Sequence, residues 1–536
     1  MLCALGALTF LPSLPLRDLW NPDEPRYAEV AREMRETGEW LVPHLNGAIY
    51  AEKPPLFFWL SALGQMAGLG FNAGRVVAGL AFAGTLLLTW SLARRLLGDR
   101  AGLLAAAVLG TAVFFPWLGR FGVLDVVLAF FVTVAVYGWI RGGPWIVLFY
   151  VGMGTAVLVK GPVGIALALM GVLAWRFRGG SGAEAAPPEG CGGPWHLAWG
   201  PLLTAAIIAA WLWPACVRGG PAYTDAILWK QNVGRAVGSW SHARPFWYYV
   251  PLLSLLFPWV LFLPWAAPWA WRREGLPRAM LLWAGAGFLF FSLVSGKRDR
   301  YLTPLFPPFA IVVGAWLGAG VATPLARRAA RFANAFFLGA GVGLLLASLL
   351  GHGLAKRFQG EVAAALEGLA SVPGIATASA FAVALFVLGR RGIRAAREGL
   401  LPRSAALLAL QVWVFLLAYD LLLVPRIDEF KSPRPVAEEL NAWPGEVAAY
   451  PAHFSGAYNL YSRRLKIPVL ETQDEVLAHL SGEGERLVLT SRESYEHARP
   501  GEARSLKETL GGRFTATEMG RVGHREMIFL TNYPPP

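Results

Sequence analysis

Two short runs near the amino terminus, Asp23-Glu-Pro-Arg26-Tyr27 and Tyr50-Ala-Glu52-Lys53-Pro-Pro55, mix acids, bases and phenols. A carboxylate can take a proton from a hydroxyl or stabilise a developing cation, and lysine or arginine can hold an anionic leaving group. Asp125, Lys160 and the run Ser295-Gly-Lys297-Arg-Asp-Arg-Tyr301 repeat the theme further along. Each has a plainer reading. Asp23 suits a helix N-cap with Pro25 in the first turn. Glu52 and Lys53 suit a structural salt bridge in a segment stiffened by proline, because the residue before proline is pushed out of helix. Asp125, Lys160 and Lys297 suit anchoring at a membrane interface. Their joint occurrence favours a site in which two carboxylates and several cations move a group away from an anionic leaving group.

The elements that must position these residues are membrane spans. The chain of 536 residues is 55% hydrophobic, 15% charged and holds 23 Trp, which excludes an ordinary soluble domain. Its net charge of +13 does not indicate nucleic acid, because the Lys and Arg mark loops instead of clustering on a soluble domain. Apolar segments of membrane-crossing length fall near 1–16, 73–92, 101–117, 123–140, 145–159, 161–177, 197–217, 246–270, 278–294, 302–321, 333–351, 372–389 and 404–424, thirteen in all. Alternate connections are Arg-rich, so the positive-inside rule puts them in the cytoplasm. The amino terminus is then inside, and the other connections, with the chain after about 425, are outside. Every polar residue named above falls on that outer set.

Within the long outer loop 17–58, Tyr27, Val30, Ala31 and Met34 recur at helical spacing, which predicts an interfacial amphipathic helix over Pro25–Glu36. After Pro425 charges return and short apolar runs at 446–450, 466–470 and 486–490 alternate with a helical pattern at Asp474–Leu480, which predicts a small α/β domain. The organisation is therefore a membrane domain over 1–425, whose loop 17–58 carries the chemistry, and an outer domain over 426–536. Cys3, Cys191 and Cys216 form no disulfide framework or zinc spacing, and 179–194 reads as a Gly/Pro-rich linker.

The run DEPRYAEVAREMRETGEWLVPHLNGAIYAEKPPLFFWL from Asp23 resembles the first outer loop of the aminoarabinose transferase (ArnT)-like and protein O-mannosyltransferase-like glycosyltransferases of the GT-C membrane fold. RFGVLD ending at Asp125, VKGPVG around Lys160, HARPFWYYVP from His242 and SGKRDRYLTPLFPP from Ser295 match in the same order. The resemblance implies an all-α polytopic protein of the bacterial inner membrane, with about thirteen spans, a cytoplasmic amino terminus and a small periplasmic α/β domain at the carboxyl end. It implies transfer of a sugar from a polyprenyl-phosphate donor, undecaprenyl phosphate in bacteria, to an acceptor on the periplasmic side. Lipid A is the leading acceptor and aminoarabinose the leading sugar. Protein O-mannosyl transfer or transfer to another envelope glycan is the alternative, and a lipid-linked sugar flippase is the alternative of another class. A transporter would place its charges near the midplane in repeated broken helices, a pattern this chain lacks.

The resemblance puts the catalytic carboxylates at Asp23 and Asp125. Lys53, Lys160, Arg235, Lys297 and Tyr301 are implied at the donor phosphate, where cations make charge-assisted hydrogen bonds. Arg26, Tyr27, Tyr50, Glu52 and His242 are implied around the sugar or acceptor. No cofactor is required. Glu52 and His242 are a candidate pair for a divalent metal ion, against a salt bridge of Glu52 to Arg26 or Lys53. The expected partners are the lipid-linked donor, a lipid or protein acceptor and membrane lipids, with no nucleic acid.

Overall fold

The protein is described by a computed structural model covering residues 14, 16–179, 195–234, 244–451, 456–499, 502–523 and 525–533. The chain forms two compact units: one takes in Ala51–Phe57 and Arg75–Leu423, the other Pro15–Tyr50, Phe58–Gly74 and Val424–Pro536.

The first unit is helical. Among the described residues, nine helices of the chain are long and apolar enough to cross a membrane. Leu124–Arg141, Gly143–Lys160, Leu276–Leu293 and Asp299–Gly318 lie where apolar segments were expected, and Leu56–Leu97, His196–Gln231, Pro324–Ala355, Val372–Arg397 and Leu401–Lys431 overrun their expected segments. The expected span 246–270 is instead two helices, Phe246–Leu256 and Trp259–Arg272, bent by 101°. Pro258 stands in that break, where a residue without an N–H and with a ring that crowds the preceding turn interrupts the helix. Val163–Arg176 and Asp99–Thr111 have 14 and 13 residues. At about 1.5 Å per residue each reaches only about 20 Å, short of the roughly 30 Å hydrocarbon core. Of the expected segment 1–16 only residues 14 and 16 are described, and the Gly/Pro-rich stretch falls almost wholly outside the described residues.

Leu124–Arg141 and Ile146–Lys160 form an antiparallel helical hairpin joined by a short turn. They approach so closely that a Cβ on Gly152 would lie 2.8 Å from the backbone nitrogen of Ala135. Small residues at such contacts let helix backbones meet where lipid offers no hydrophobic drive for association. The antiparallel course brings the first turn of one helix, with Asp125, beside the last residue of the other, Lys160.

The second unit contains a mixed four-stranded sheet. Its strands are β3 (Glu446–Ala449), β4 (Arg486–Ser491), β5 (Thr515–Val522) and β6 (Arg525–Thr531), in the order β3-β4-β6-β5, with β3 parallel to β4 and the other pairs antiparallel. Alternate residues serve opposite faces. Val447, Leu487, Leu489 and Phe529 pack with Trp443 and Tyr458, while Ala448, Val488, Ile528 and Leu530 pack with Val476, Leu480 and Leu506. Cover on both faces explains why 487–490 reads as a continuous buried run. The expected strands at 446–450 and 486–490 and the helix at 474–480 are present, whereas 466–470 contributes only an isolated bridge between Val469 and Ala449.

This same unit holds the first-loop helix, Asp23–Thr37, and a two-stranded hairpin of β1 (His44–Leu45) and β2 (Ala48–Ile49). Gly38 ends the helix in the left-handed region (φ 73°), its N–H donating to the Met34 carbonyl at 3.1 Å. Asn46 and Gly47 both take positive φ, which a two-residue hairpin turn requires and an Asn-Gly pair tolerates. The helix lies where the periodicity predicts, but its polar side is not solvated: Glu29, Arg32 and Glu33 are all buried. Protein from the carboxyl-terminal segment covers that side, with Leu460 joining Leu19 and Ala28 in one apolar cluster.

Candidate functional site

In the second unit Asp23 is the first residue of its helix and is buried. The cap position belongs to Pro22, with no side-chain cap bond, so the N-cap reading of Asp23 does not hold. An acid in the first turn complements the positive end of the helix dipole. The neighbouring Glu24 has a structural duty, accepting from both Arg17 guanidinium nitrogens, at 2.5 and 3.2 Å, and from the Trp20 main-chain N–H at 3.1 Å. Tyr27 and Tyr50 are brought together through Phe58, whose ring meets theirs edge-on at centroid distances of 5.7 and 5.9 Å. In the sequence Phe58 is one apolar residue in an apolar run, and nothing there marks it as the ring between two tyrosines. Arg26 starts the second turn of the same helix, its main chain close against Gly456.

Further along the same helix Glu29, Arg32 and Glu33 form a buried ionic group. Arg32 donates to both carboxylate oxygens of Glu29, at 2.6 and 2.8 Å, a bidentate pair with no accessible charge on the Glu29 side. Burial nevertheless pushes the Glu29 carboxyl up to about 7, with Arg32 only partly offsetting it. Burial also raises Glu33, against the opposing pull of the Gly47 and Asn46 main-chain N–H groups that it accepts from at 3.1 and 2.5 Å.

In the first unit, Lys53 Nζ donates to the Glu52 main-chain carbonyl at 2.9 Å. The Asp125 carboxylate accepts from Lys160 Nζ, and the same ammonium sits 4.3 Å from the Tyr301 ring centroid. Three predicted residues, from three different elements, therefore share one contact set. Asp125 is 3% exposed, so this is a desolvated ion pair capped by a cation–π contact. What the structure puts against Lys160 is the ring face of Tyr301. Lys297 is buried, and its ammonium donates to the carbonyls of Arg244, at 3.0 Å, and Val294. Burial lowers its pKa. Arg235 and His242 lie outside the described residues. Among the described residues no three His, Cys, Asp or Glu side chains group closely enough to hold a metal ion, and the Glu52–His242 pair falls outside that search.

Displacement at an anomeric carbon demands negative charge beside a developing oxocarbenium and positive charge at the departing phosphate, and each unit by itself offers groups of that kind: the second a carboxylate at a helix start, the first a buried carboxylate–ammonium pair and further lysines.

Comparison with known proteins accords with this chemistry. Residues 1–178 match the dolichyl-phosphate-mannose-protein mannosyltransferase family. An undecaprenyl phosphate-alpha-4-amino-4-deoxy-L-arabinose arabinosyl transferase of Edwardsiella ictaluri is 33% identical over 335 residues, covering 59% of this chain and 58% of that one. The enzyme of the same name from Enterobacter sp. strain 638 is 32% identical over 373 residues, covering 65% and 64%. The chain thus matches somewhat less than two thirds of the length of these relatives. The crystal structure of ArnT from Cupriavidus metallidurans bound to undecaprenyl phosphate superposes with a TM-score of 0.76, at 21% identity, over 100% of this chain and 98% of that one. The likeness in structure establishes the fold.

Proposed function

We propose that this chain, ArnT-like in sequence and of GT-C fold, is a membrane glycosyltransferase that moves a sugar from undecaprenyl phosphate to an acceptor at the outer face of a bacterial inner membrane. The sugar is 4-amino-4-deoxy-L-arabinose and the acceptor lipid A. The observation that carries the reading is the Asp125–Lys160–Tyr301 set, a buried carboxylate and cation from separate helices, in a chain whose first-loop helix starts at Asp23.

The acceptor oxygen attacks the anomeric carbon, the bond from that carbon to the lipid phosphate oxygen breaks, and the phosphate leaves with the electron pair. Asp23 takes the acceptor's proton when that acceptor is a hydroxyl and serves as an electrostatic guide when it is already a phosphate. Asp125, positioned by Lys160, holds the sugar or acceptor. Lys53, Lys160, Arg235 and Lys297 balance the phosphate charge, Tyr301 supports Lys160, and Arg26, Tyr27, Tyr50, Glu52 and His242 shape the pocket. The orientation that goes with this is an amino terminus in the cytoplasm and the domain from 426 onward in the periplasm.

The test is transfer by purified protein from undecaprenyl-phosphate aminoarabinose to lipid A. Asp23→Asn is expected to lower turnover by about 10²-fold or more while donor binding persists. Full activity of that variant would remove Asp23 from the chemistry. A second reading, transfer of mannose to protein hydroxyls, is favoured by the family matched over 1–178. Polyprenyl-phosphate mannose with a Ser/Thr peptide distinguishes it, as does mass spectrometry of envelope lipids and proteins from a deletion strain.

A further inference from the structure

The hairpin that follows the first-loop helix meets the carboxyl-terminal domain through neutral amides, and the helix itself reaches that domain through Arg32. Asn459 lies in the helix Ala457–Ser462, 427 residues from Arg32, and is 1% exposed. Its Oδ1 accepts the Gly456 N–H at 3.0 Å, its Nδ2 donates to Asn46 Oδ1 at 2.8 Å, and its main-chain carbonyl accepts from Arg32 Nη2 at 3.2 Å. Asn46 mimics a strand residue toward Ile467, accepting its N–H at 2.7 Å and donating to its carbonyl at 2.8 Å. The Asn46 main-chain N–H meanwhile donates to Glu33 on the first-loop helix. Helix, hairpin turn and carboxyl-terminal domain are thus tied by one set of directional bonds, buried at its centre.

We propose that Asn46 and Asn459 are positioning residues for transfer. They fix the register of the helix that begins at Asp23, so that the carboxyl-terminal domain forms part of the catalytic apparatus without supplying a reacting group. This rests on the role of Asp23 given above. Hydrogen bonds are directional, whereas the apolar cluster around Leu460 resists sliding only weakly, so the amides set the helix position along its axis. A misplacement of about 1 Å at a reacting group can cost roughly 10²-fold in rate.

The cleaner probe is Asn46→Gly in the full chain. Glycine keeps the positive φ of Asn46 (58°) and the main-chain N–H to Glu33, deleting only the side-chain junction. Asn459→Ala is the second variant. With undecaprenyl-phosphate aminoarabinose and lipid A, each is expected to lower kcat about 10-fold or more with the donor KM within about 2-fold, the split of a displaced catalytic group. In an Asp23→Asn background Asn46→Gly should lower residual turnover no further, because both changes act through one group. Unchanged kcat in the folded variants, a rise in KM alone, or a full multiplicative loss in the double variant overturns the proposal. A fully active Asp23→Asn protein instead overturns the reading on which it rests, and the single-variant kinetics tell the two failures apart. If Asn459→Ala does not accumulate, Asn46→Gly decides alone.

Discussion

Lys160 touches two of the residues that the sequence nominated, and its removal has a calculable consequence. Lys160→Met takes the cation from a buried Asp125 carboxylate. Breaking a buried pair from one side costs about 3–5 kcal/mol. A clear fall in the unfolding midpoint in detergent is expected, and transfer should be lost. The double change Asp125→Asn with Lys160→Met removes the uncompensated charge, so most of the stability should return while transfer does not. Recovery of transfer in the double variant would make the pair structural only. Glu29 supports a different prediction. Its folded-state pKa of about 7 lies above its ordinary 4.5, so its stabilising contribution is full below pH 4.5 and is lost as pH rises toward 7. Thermal midpoints measured from pH 4.5 to 8 should fall less steeply in Glu29→Gln than in the parent chain, and parallel curves would show that Glu29 is not the group responsible. At this scale the sequence was readable where residue type implies chemistry: Asp23, Lys53, Asp125 and Lys160 announce themselves. Phe58, Asn46 and Asn459 do not, because a phenylalanine between two tyrosines and a pair of neutral amides acquire meaning only from what lies beside them.

Among the elements, the first-loop helix shows how far periodicity reaches. Spacing of Tyr27, Val30, Ala31 and Met34 located it, yet could not say that its charged side is covered, since a buried ion pair and a solvated one have the same residue types. The close approach of Gly456 to this helix is testable. Gly456 has φ 97°, and a Cβ there would lie 3.1 Å from the Arg26 Cα and the Leu45 Cδ1. Gly484 also has positive φ (81°), with nothing within 4 Å of its would-be Cβ. Gly456→Ala and Gly484→Ala share a backbone strain of about 1–3 kcal/mol. Only Gly456→Ala should also reduce transfer, because only it presses on the segment carrying Arg26. Equal activity in the two variants would count against that contact. Strand β5 escaped detection because charged residues interrupt its alternation, whereas β4 was found because both its faces are apolar; β6 carries a similar buried apolar run, Met527–Leu530, which the sequence reading did not single out.

For the whole molecule, the proposed orientation makes a labelling prediction. In a chain with its native cysteines replaced, Ser481→Cys should react with a membrane-impermeant reagent added to intact cells or spheroplasts, and Arg390→Cys only after permeabilisation. Both side chains are exposed in the structure, so a reversed pattern would invert the topology. Counting apolar runs predicted thirteen crossings; among the described residues nine helices are long and apolar enough to cross, and hydropathy alone does not tell such a helix from one of 13 or 14 residues or from a segment bent through 101°. Each is equally apolar, and only length and direction in three dimensions separate them.

The sequence by itself determined the class of protein, the positions of most helices, the sheet-bearing carboxyl-terminal domain and the residue types fit to move a sugar from a phosphate. Those are properties of composition, period and local chemistry, which a linear chain displays. Tertiary structure alone decided that Asp125, Lys160 and Tyr301 share one contact set, that Tyr27 and Tyr50 meet on Phe58, and that the loop beginning the chain's chemistry folds into the same unit as its last hundred or so residues. Contacts such as Arg32 to Asn459, across 427 residues, depend on where the intervening helices turn, and no local pattern in the chain encodes that.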